Sequence, residues 1–226
     1  MAHRLFSSSD LERISQAVRE AERKTSGEIV PYVVDQSDRY EEAAWRGGAL
    51  LGAVALVCIA VLHLTSDTWH GLGPAEIGIV TIGAIGLGVM ATHRFPPLKR
   101  LLAGNDLIEH RVAQRAAQAF IAEEVFQTKD RTGILLFLSL LERKVLAVGD
   151  SGINAKVDQS DWEEVVASIT RGIGDGKAAD GFIEAIGKCG FLLQKKGITR
   201  RSKDRNELSN QLRMSGKKSA RGRKRS

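Results

Sequence analysis

GGALLGAVALVCIAVLHL, residues 47–64, decides the class of this chain: it is a run of eighteen residues without one formal charge. At about 1.5 Å rise per residue a helix of that length is roughly 27 Å long, close to the hydrocarbon thickness of a bilayer. IGIVTIGAIGLGVMAT, residues 77–92, is a second uncharged run, of sixteen residues, roughly 24 Å long as a helix. A polar link containing Gly and Pro, residues 65–76, joins the two. Two such runs so close together predict a transmembrane helical hairpin over residues 47–93, with spans at 47–64 and 77–92.

The flanks of the hairpin give it a direction. Arg46 precedes the first run, and His93, Arg94, Lys99 and Arg100 follow the second, while the link TSDTWHGLGPAE has no Lys or Arg and two acids. By the excess of basic residues on cytoplasmic flanks, both long flanks belong in the cytoplasm and the link outside. The chain reads as a multi-pass protein of a bacterial-type inner (cytoplasmic) membrane with both termini cytoplasmic. Trp45 and Trp69 stand at opposite ends of the first span, where interfacial aromatics belong. The first run starts too far into the chain, and without a short basic leader, to be a signal peptide. Gly48 and Gly52, and Ala84 and Gly88, have the small-xxx-small spacing that lets helices approach closely, either within the hairpin or with a second copy. Neither span contains Asp, Glu, Lys or Arg, so no ion or proton path is visible.

Outside the hairpin, 226 residues with 43% apolar content supply a core. The net charge of +6 is unevenly spread. From Arg200 to Ser226 there are eleven Lys/Arg against two acids, leaving the rest with 22 basic and 25 acidic residues. The body is mildly acidic and the tail strongly basic.

Ser9-Asp10-Leu11-Glu12 fits a capping box opening a helix whose apolar stripe is Leu11, Ile14, Val18 and Ala21, closed by Gly27. Glu28 to Asp35 reads as a strand, which Pro31 pushes toward a sheet edge or a bulge. After the hairpin, Leu107–Phe126 has helical spacing in Ile108, Val112, Ala116, Ala119 and Phe120. Ile134 to Leu140 is a continuous apolar run that suits a strand covered on both faces. Lys144 to Val148 is its antiparallel partner, and residues 149–152 form a loop. A second capping box, Ser160–Glu163, opens a helix through about Arg171. A Gly-rich connection, 172–176, leads to a last helix over 177–195 with Phe182, Ile186 and Leu193 inward. The first strand has no mate before the hairpin, so its partner lies in 133–149. The hairpin is then an insertion in one α/β domain made of residues 1–46 and 94–198, followed by a basic, disordered tail, 199–226.

These stretches together resemble the TPM domain family, named after a thylakoid lumen protein, a photosystem II repair protein and a receptor-associated membrane protein. The resemblance rests on Ser26-Gly27-Glu28-Ile29-Val30, Gly133 with the run after it, Glu142 and Arg143, Gly149-Asp150-Ser151-Gly152, Trp162, and Gly176 to Gly181. It implies an α/β/α sandwich with a small central sheet, here interrupted by the two-helix transmembrane hairpin. Family members include assembly, repair and accessory factors, and some bind calcium and have acid phosphatase activity. This chain differs in lacking the extended N-terminal segment, with its Asp, of many exported members, and in carrying the hairpin inside the domain.

The resemblance therefore implies a membrane-anchored accessory or assembly module with a non-catalytic binding role. Its partner is another membrane protein or a second copy of the chain. The enzyme alternative is a metal-assisted phosphatase at the Asp150 loop, where Asp158 and Asp161 would join Asp150 as oxygen ligands for a divalent cation. The same acids also fit helix capping. The five His have no i, i+4 pairing, and Cys58 and Cys189 read as reduced packing residues. No other cofactor and no small-molecule substrate is indicated. Arg200, Arg201, Lys217, Lys218, Arg223, Lys224 and Arg225 of the tail offer a surface for anionic lipid or for RNA. The tail has no aromatics for base stacking.

Overall fold

The computed structural model of the chain describes residues 5–65, 71–198 and 208–215. In order the elements are α1 (Ser8–Glu22), β1 (Glu28–Val34), α2 (Glu41–Thr65), α3 (Pro74–Arg94), α4 (Pro96–Ala103) and α5 (Asn105–Ala122). A 3-10 turn at Val125–Gln127 leads to β2 (Gly133–Ser139) and β3 (Lys144–Gly149). Then come α6 (Ser151–Asn154), α7 (Gln159–Gly174), α8 (Ala178–Lys195) and β4 (Arg213–Ser215). The fold is mixed α/β. Two units form, one of residues 1–37 with 112–226 and one of residues 38–111.

The first unit is built on a four-stranded sheet in the order β3-β2-β1-β4. β1 pairs parallel to β2 from Glu28 opposite Gly133 to Val34 opposite Ser139. The expected partner of the first strand is therefore found within residues 133–149. Parallel strands need a crossover connection, and here residues 35–132, which include the whole apolar hairpin, make it. β2 and β3 are antiparallel, as their spacing predicts.

Every residue of β1 and β2 is buried. On one face Ile29, Val33, Ile134, Leu136 and Leu138 join a core with Ile14 and Val18 of α1, Trp162, Val165 and Ile169 of α7, and Phe182, Ile186 and Leu193 of α8. Each such side chain, fully buried, is worth about 1.5–3 kcal/mol over its exposed state. The opposite face carries Tyr32 and Phe137, stacked with ring centroids 5.9 Å apart. The stripe of α5 is buried at Val112, Ala116 and Ala119.

Several expectations need correction. α1 is capped by Ser7, not Ser9: Asp10 N–H donates to Ser7 Oγ at 3.2 Å and Ser7 N–H donates to Asp10 Oδ2 at 3.0 Å. α7 is capped by Asp158, with Asp161 in the third position, and runs on to Gly174. Both boxes sit two residues earlier than the sequence pattern put them, because Asp serves in the third position as well as Glu. Residues 151–154 form a short helix rather than a loop. Pro31 does not mark a sheet edge, since β1 lies between β2 and β4. The β1–β4 ladder begins only at Tyr32, opposite Arg213, so Pro31 stands just outside it. The expectation of a disordered tail over 199–226 fails at residues 208–215, where the chain returns as β4 with Leu212 buried.

The second unit contains two helices long and apolar enough to cross a membrane, α2 and α3, of 25 and 21 residues. They pack on each other through glycine. A Cβ on Gly48 would lie 2.8 Å from Val89 Cγ2, and one on Gly52 would lie 2.7 Å from Ile85 Cγ1. One on Gly88 would lie 2.9 Å from the Gly48 Cα. The small-residue face of α2 is thus filled by α3. Leu50, Val57, Val61, Ile79, Ile82 and Leu87 point away from the pair and are exposed, the reverse of a helix pair in a water-soluble core.

Candidate functional site

The Asp150 loop is set by the β2–β3 hairpin. Its register places Gly149 opposite Ile134, and the Asp150 N–H donates to the Gly133 carbonyl at 2.9 Å. Asp150 then caps α6: its Oδ1 accepts from Ser151 N–H at 2.6 Å and from Ser151 Oγ at 3.2 Å. Oδ2 lies 3.1 Å from Arg131 Nε, an ion pair whose N–H is not aligned for a hydrogen bond, so Oδ2 carries none. Arg131 holds a left-handed backbone, φ 57°, and its carbonyl accepts the Gly152 N–H at 3.1 Å. A Cβ on Gly152 would stand 2.7 Å from that carbonyl oxygen. The carboxylate is 4% exposed and its contacts are those of a helix cap closing one loop onto another.

Asp158 and Asp161 have a different partner. The Lys196 ammonium, just past α8, lies 3.1 Å from Asp158 Oδ2 and 3.4 Å from Asp161 Oδ2. The hydrogen bond to Asp158 raises the Lys196 pKa first, and the Asp161 carboxylate adds to it. The structure does not assemble Asp150, Asp158 and Asp161 into one ligand set. Among the described residues no three His, Cys, Asp or Glu side chains stand together as metal ligands.

The remaining motif residues are placed by packing. Trp162 is 7% exposed within the core, and a Cβ on Gly149 would meet its Cζ2 at 2.9 Å. Gly133 lies against the Val125 carbonyl, and Gly181 against Gly172 where α8 crosses α7. Gly176 takes a φ of 71° in the turn between those helices. Arg143 turns the β2–β3 hairpin with a φ of 54°.

Glu142 does more than turn the chain. It is 2% exposed. Its Oε1 accepts the Ser37 N–H at 2.8 Å and its Oε2 accepts the Ser139 hydroxyl, to which Ser37 Oγ donates at 2.9 Å. Ser37 and Ser139 gave no signal in the sequence, because a serine beside a strand end is unremarkable until its partner is known.

A second carboxyl cluster was also missed. Glu22, at the end of α1, accepts the Ile29 N–H at 3.0 Å and the Asn210 side-chain amide. Burial first, and then the neighbouring Glu28 charge, push the Glu22 carboxyl up to about 8. The only available signal was two Glu flanking the turn before β1. Nothing local announces that Asn210 returns to meet them.

An open groove of about 270 Å³ runs between α1 and α8, lined by Ala17, Glu20, Lys24, Gly187, Phe191 and Gln194 among others. Phe191 is 69% exposed there. Cys189 is fully buried, which raises its thiol to about 12, and Cys58 is exposed on α2. Arg200, Arg201, Lys217, Lys218, Arg223, Lys224 and Arg225 lie outside the described residues.

The chain is similar to a solved NMR structure, that of the BA42 protein from the psychrophilic bacterium Bizionia argentinensis. The TM-score is 0.55 at 19% identity, over 92% of this chain and 94% of that one. That likeness concerns the fold. No family model matches the chain, and no curated protein matches it.

Proposed function

We propose that this chain is a membrane-anchored, TPM-like accessory or assembly module. Its hairpin spans the inner membrane with both termini cytoplasmic, and its α/β domain binds a partner without catalysing a reaction. The observation that carries this reading is the use made of the charged groups. Asp150 caps a helix beside Arg131, Asp158 and Asp161 share Lys196, and Glu142 ties down Ser37 and Ser139. A reactive carboxylate needs free lone pairs facing a substrate; Asp150 and Glu142 are buried against protein groups, and the exposed Asp158 is engaged by Lys196. The second buried face of the sheet, with the α5 stripe, supports the α/β/α sandwich within the mixed α/β fold. The partner is another membrane protein or a second copy.

The enzyme alternative keeps one favourable observation, the Asp150 Oδ2 without a hydrogen bond. Phosphate release from phosphomonoesters, with and without divalent cations, separates the two readings. The module reading expects no release above background and none that Asp150→Asn removes. Metal-dependent release lost in Asp150→Asn, with the fold retained, overturns it. Reporter fusions at the C-terminus and in the 65–76 link test the topology: a cytoplasmic C-terminus and an external link are expected, and the reverse sinks the orientation. Lipid or RNA binding by the tail is tested by truncation after Ser215.

A further inference from the structure

We propose that α4 is an interfacial helix that lies in the headgroup layer of an anionic leaflet, with Phe95 and Leu101 at the acyl boundary and Arg94 and Arg100 on lipid phosphates. The inference rests on the reading of α2 and α3 as membrane spans.

The chain leaves α3 at Arg94, bends at Phe95 (φ −111°, ψ 101°) and restarts at Pro96-Pro97. Proline suits the first turn of a helix, where its missing N–H is no loss. The α4 segment, PPLKRLLA, is a short amphipathic helix carrying Lys99 and Arg100 among leucines. It does not float free. The Arg46 guanidinium donates to the carbonyls of Leu102 and Ala103 at 2.8 and 3.1 Å, closing the C-terminal end of α4. Leu102 also sits over Gly47, where an added Cβ would be 3.1 Å from its Cδ1.

Arg46 and Gly47 are the last charged residue before the first uncharged run and the first residue of that run. Pinning α4 to them fixes it at the depth where hydrocarbon gives way to headgroups. At that depth its outward side is apolar: Leu101 is 77% exposed and Phe95 57%. Trp45, one residue before Arg46, is 67% exposed. This apolar surface continues along the chain into Met90 and Leu87 of α3, 62% and 56% exposed. Arg94 is exposed; Arg100 is half-buried, its Nε enclosed and without a hydrogen-bond partner in the protein. Exposed Leu101 and Phe95, and an enclosed Arg100 Nε–H without an acceptor, are unfavourable in water. They suit a surface that is apolar below and anionic above. Charge and continuity with the spans both favour that surface.

The test uses the full chain with Cys58→Ser and one added cysteine carrying a small fluorophore. Cys189 is fully buried and stays unlabelled. The chain is placed in phosphatidylglycerol–phosphatidylcholine nanodiscs. Leu101→Cys is the probe, Ile82→Cys the mid-span reference and Thr170→Cys the aqueous reference. Quenchers are lipids with a nitroxide near the headgroup or near the chain end, and aqueous iodide. The proposal expects the 101 probe to be quenched several-fold more by the headgroup-proximal nitroxide than the 170 probe is. It also expects Arg94→Glu with Arg100→Glu to lower that quenching to the level seen in phosphatidylcholine alone. A lipid-quenched 82 probe with an iodide-quenched 101 probe overturns the inference and leaves the hairpin standing. A 101 probe shielded from both quenchers also overturns it, in favour of a protein partner. No effect of the charge reversal removes the lipid phosphates as ligands. Failure of lipid to quench the 82 probe sinks the spanning reading itself.

Discussion

The backbone N–H of Ser37 donates to the Glu142 carboxylate at 2.8 Å across 105 residues of chain. Ser37 is the last residue of the α/β unit before the inserted hairpin unit, and Glu142 sits in the β2–β3 turn. The contact therefore ties the strand that enters the insertion to the strand that comes after it. It adds to the parallel β1–β2 ladder, whose last pair is Val34 with Ser139.

Glu142→Ala removes both acceptors and leaves the Ser37 N–H and the fully buried Ser139 hydroxyl without their partner. An unsatisfied buried donor costs about 1–3 kcal/mol. Denaturant unfolding of the purified chain is expected to show a loss of that order, with Glu142→Gln losing less because it keeps one acceptor. An unchanged midpoint for Glu142→Ala would show that the tie is dispensable.

Glu22 sets a pH dependence. Its carboxyl titrates near 8 in the folded chain against an ordinary 4.5. Between those values the folded state holds the extra proton, so stability falls as pH rises from 4.5 to 8. Below 4.5 both states are protonated and above 8 both are ionised, so the effect is flat at each end. Glu22→Gln keeps an acceptor for Ile29 and has no charge to set against Glu28. Its stability is expected to fall less than the parent's between pH 5 and 8. Equal slopes in urea unfolding would contradict the assignment.

The hairpin crossing is sensitive at one glycine and tolerant at another. Gly88→Leu places atoms where the backbone of Gly47 and Gly48 already lies, whereas Gly83 has nothing within 4 Å of an added Cβ. Overpacking costs about 1–3 kcal/mol. Thermal unfolding of the detergent-solubilised chain is expected to come earlier for Gly88→Leu and to be unchanged for Gly83→Leu. The opposite order would refute the glycine crossing.

The returning strand also carries stability. Leu212 is 8% exposed, Asn210 reaches Glu22, and Arg213 pairs with Glu123. Leu212→Ala should cost about 2 kcal/mol, the lower end for a buried leucine. An unaltered melting temperature in Leu212→Ala would mean that β4 does not hold.

Much of the secondary structure was legible because it is local. Ile14, Val18 and Ala21 announce α1 by their spacing, and Phe182, Ile186 and Leu193 announce α8; all are buried as that spacing requires. The apolar run of β2 showed that both faces are covered. The cap positions were off by two residues because Ser7 with Asp10 and Asp158 with Asp161 compete with equally good neighbours. Of the candidate site, the residues were visible and their partners were not. Asp150, Asp158 and Asp161 look like a ligand set in one dimension, and Lys196 and Arg131 divide them in three.

The sequence by itself determined the two long apolar helices, the insertion of the hairpin between β1 and β2, and the antiparallel β2–β3 pair. Each arises from hydropathy, periodicity or a short connection, which act within one stretch of chain. Only the tertiary structure decided that Asn210 and Leu212 come back beside β1, that Glu142 holds Ser37, and that Arg46 closes α4. Those contacts join residues from 56 to 188 positions apart. Their strength depends on burial and on a partner's position, neither of which is encoded by nearby residues.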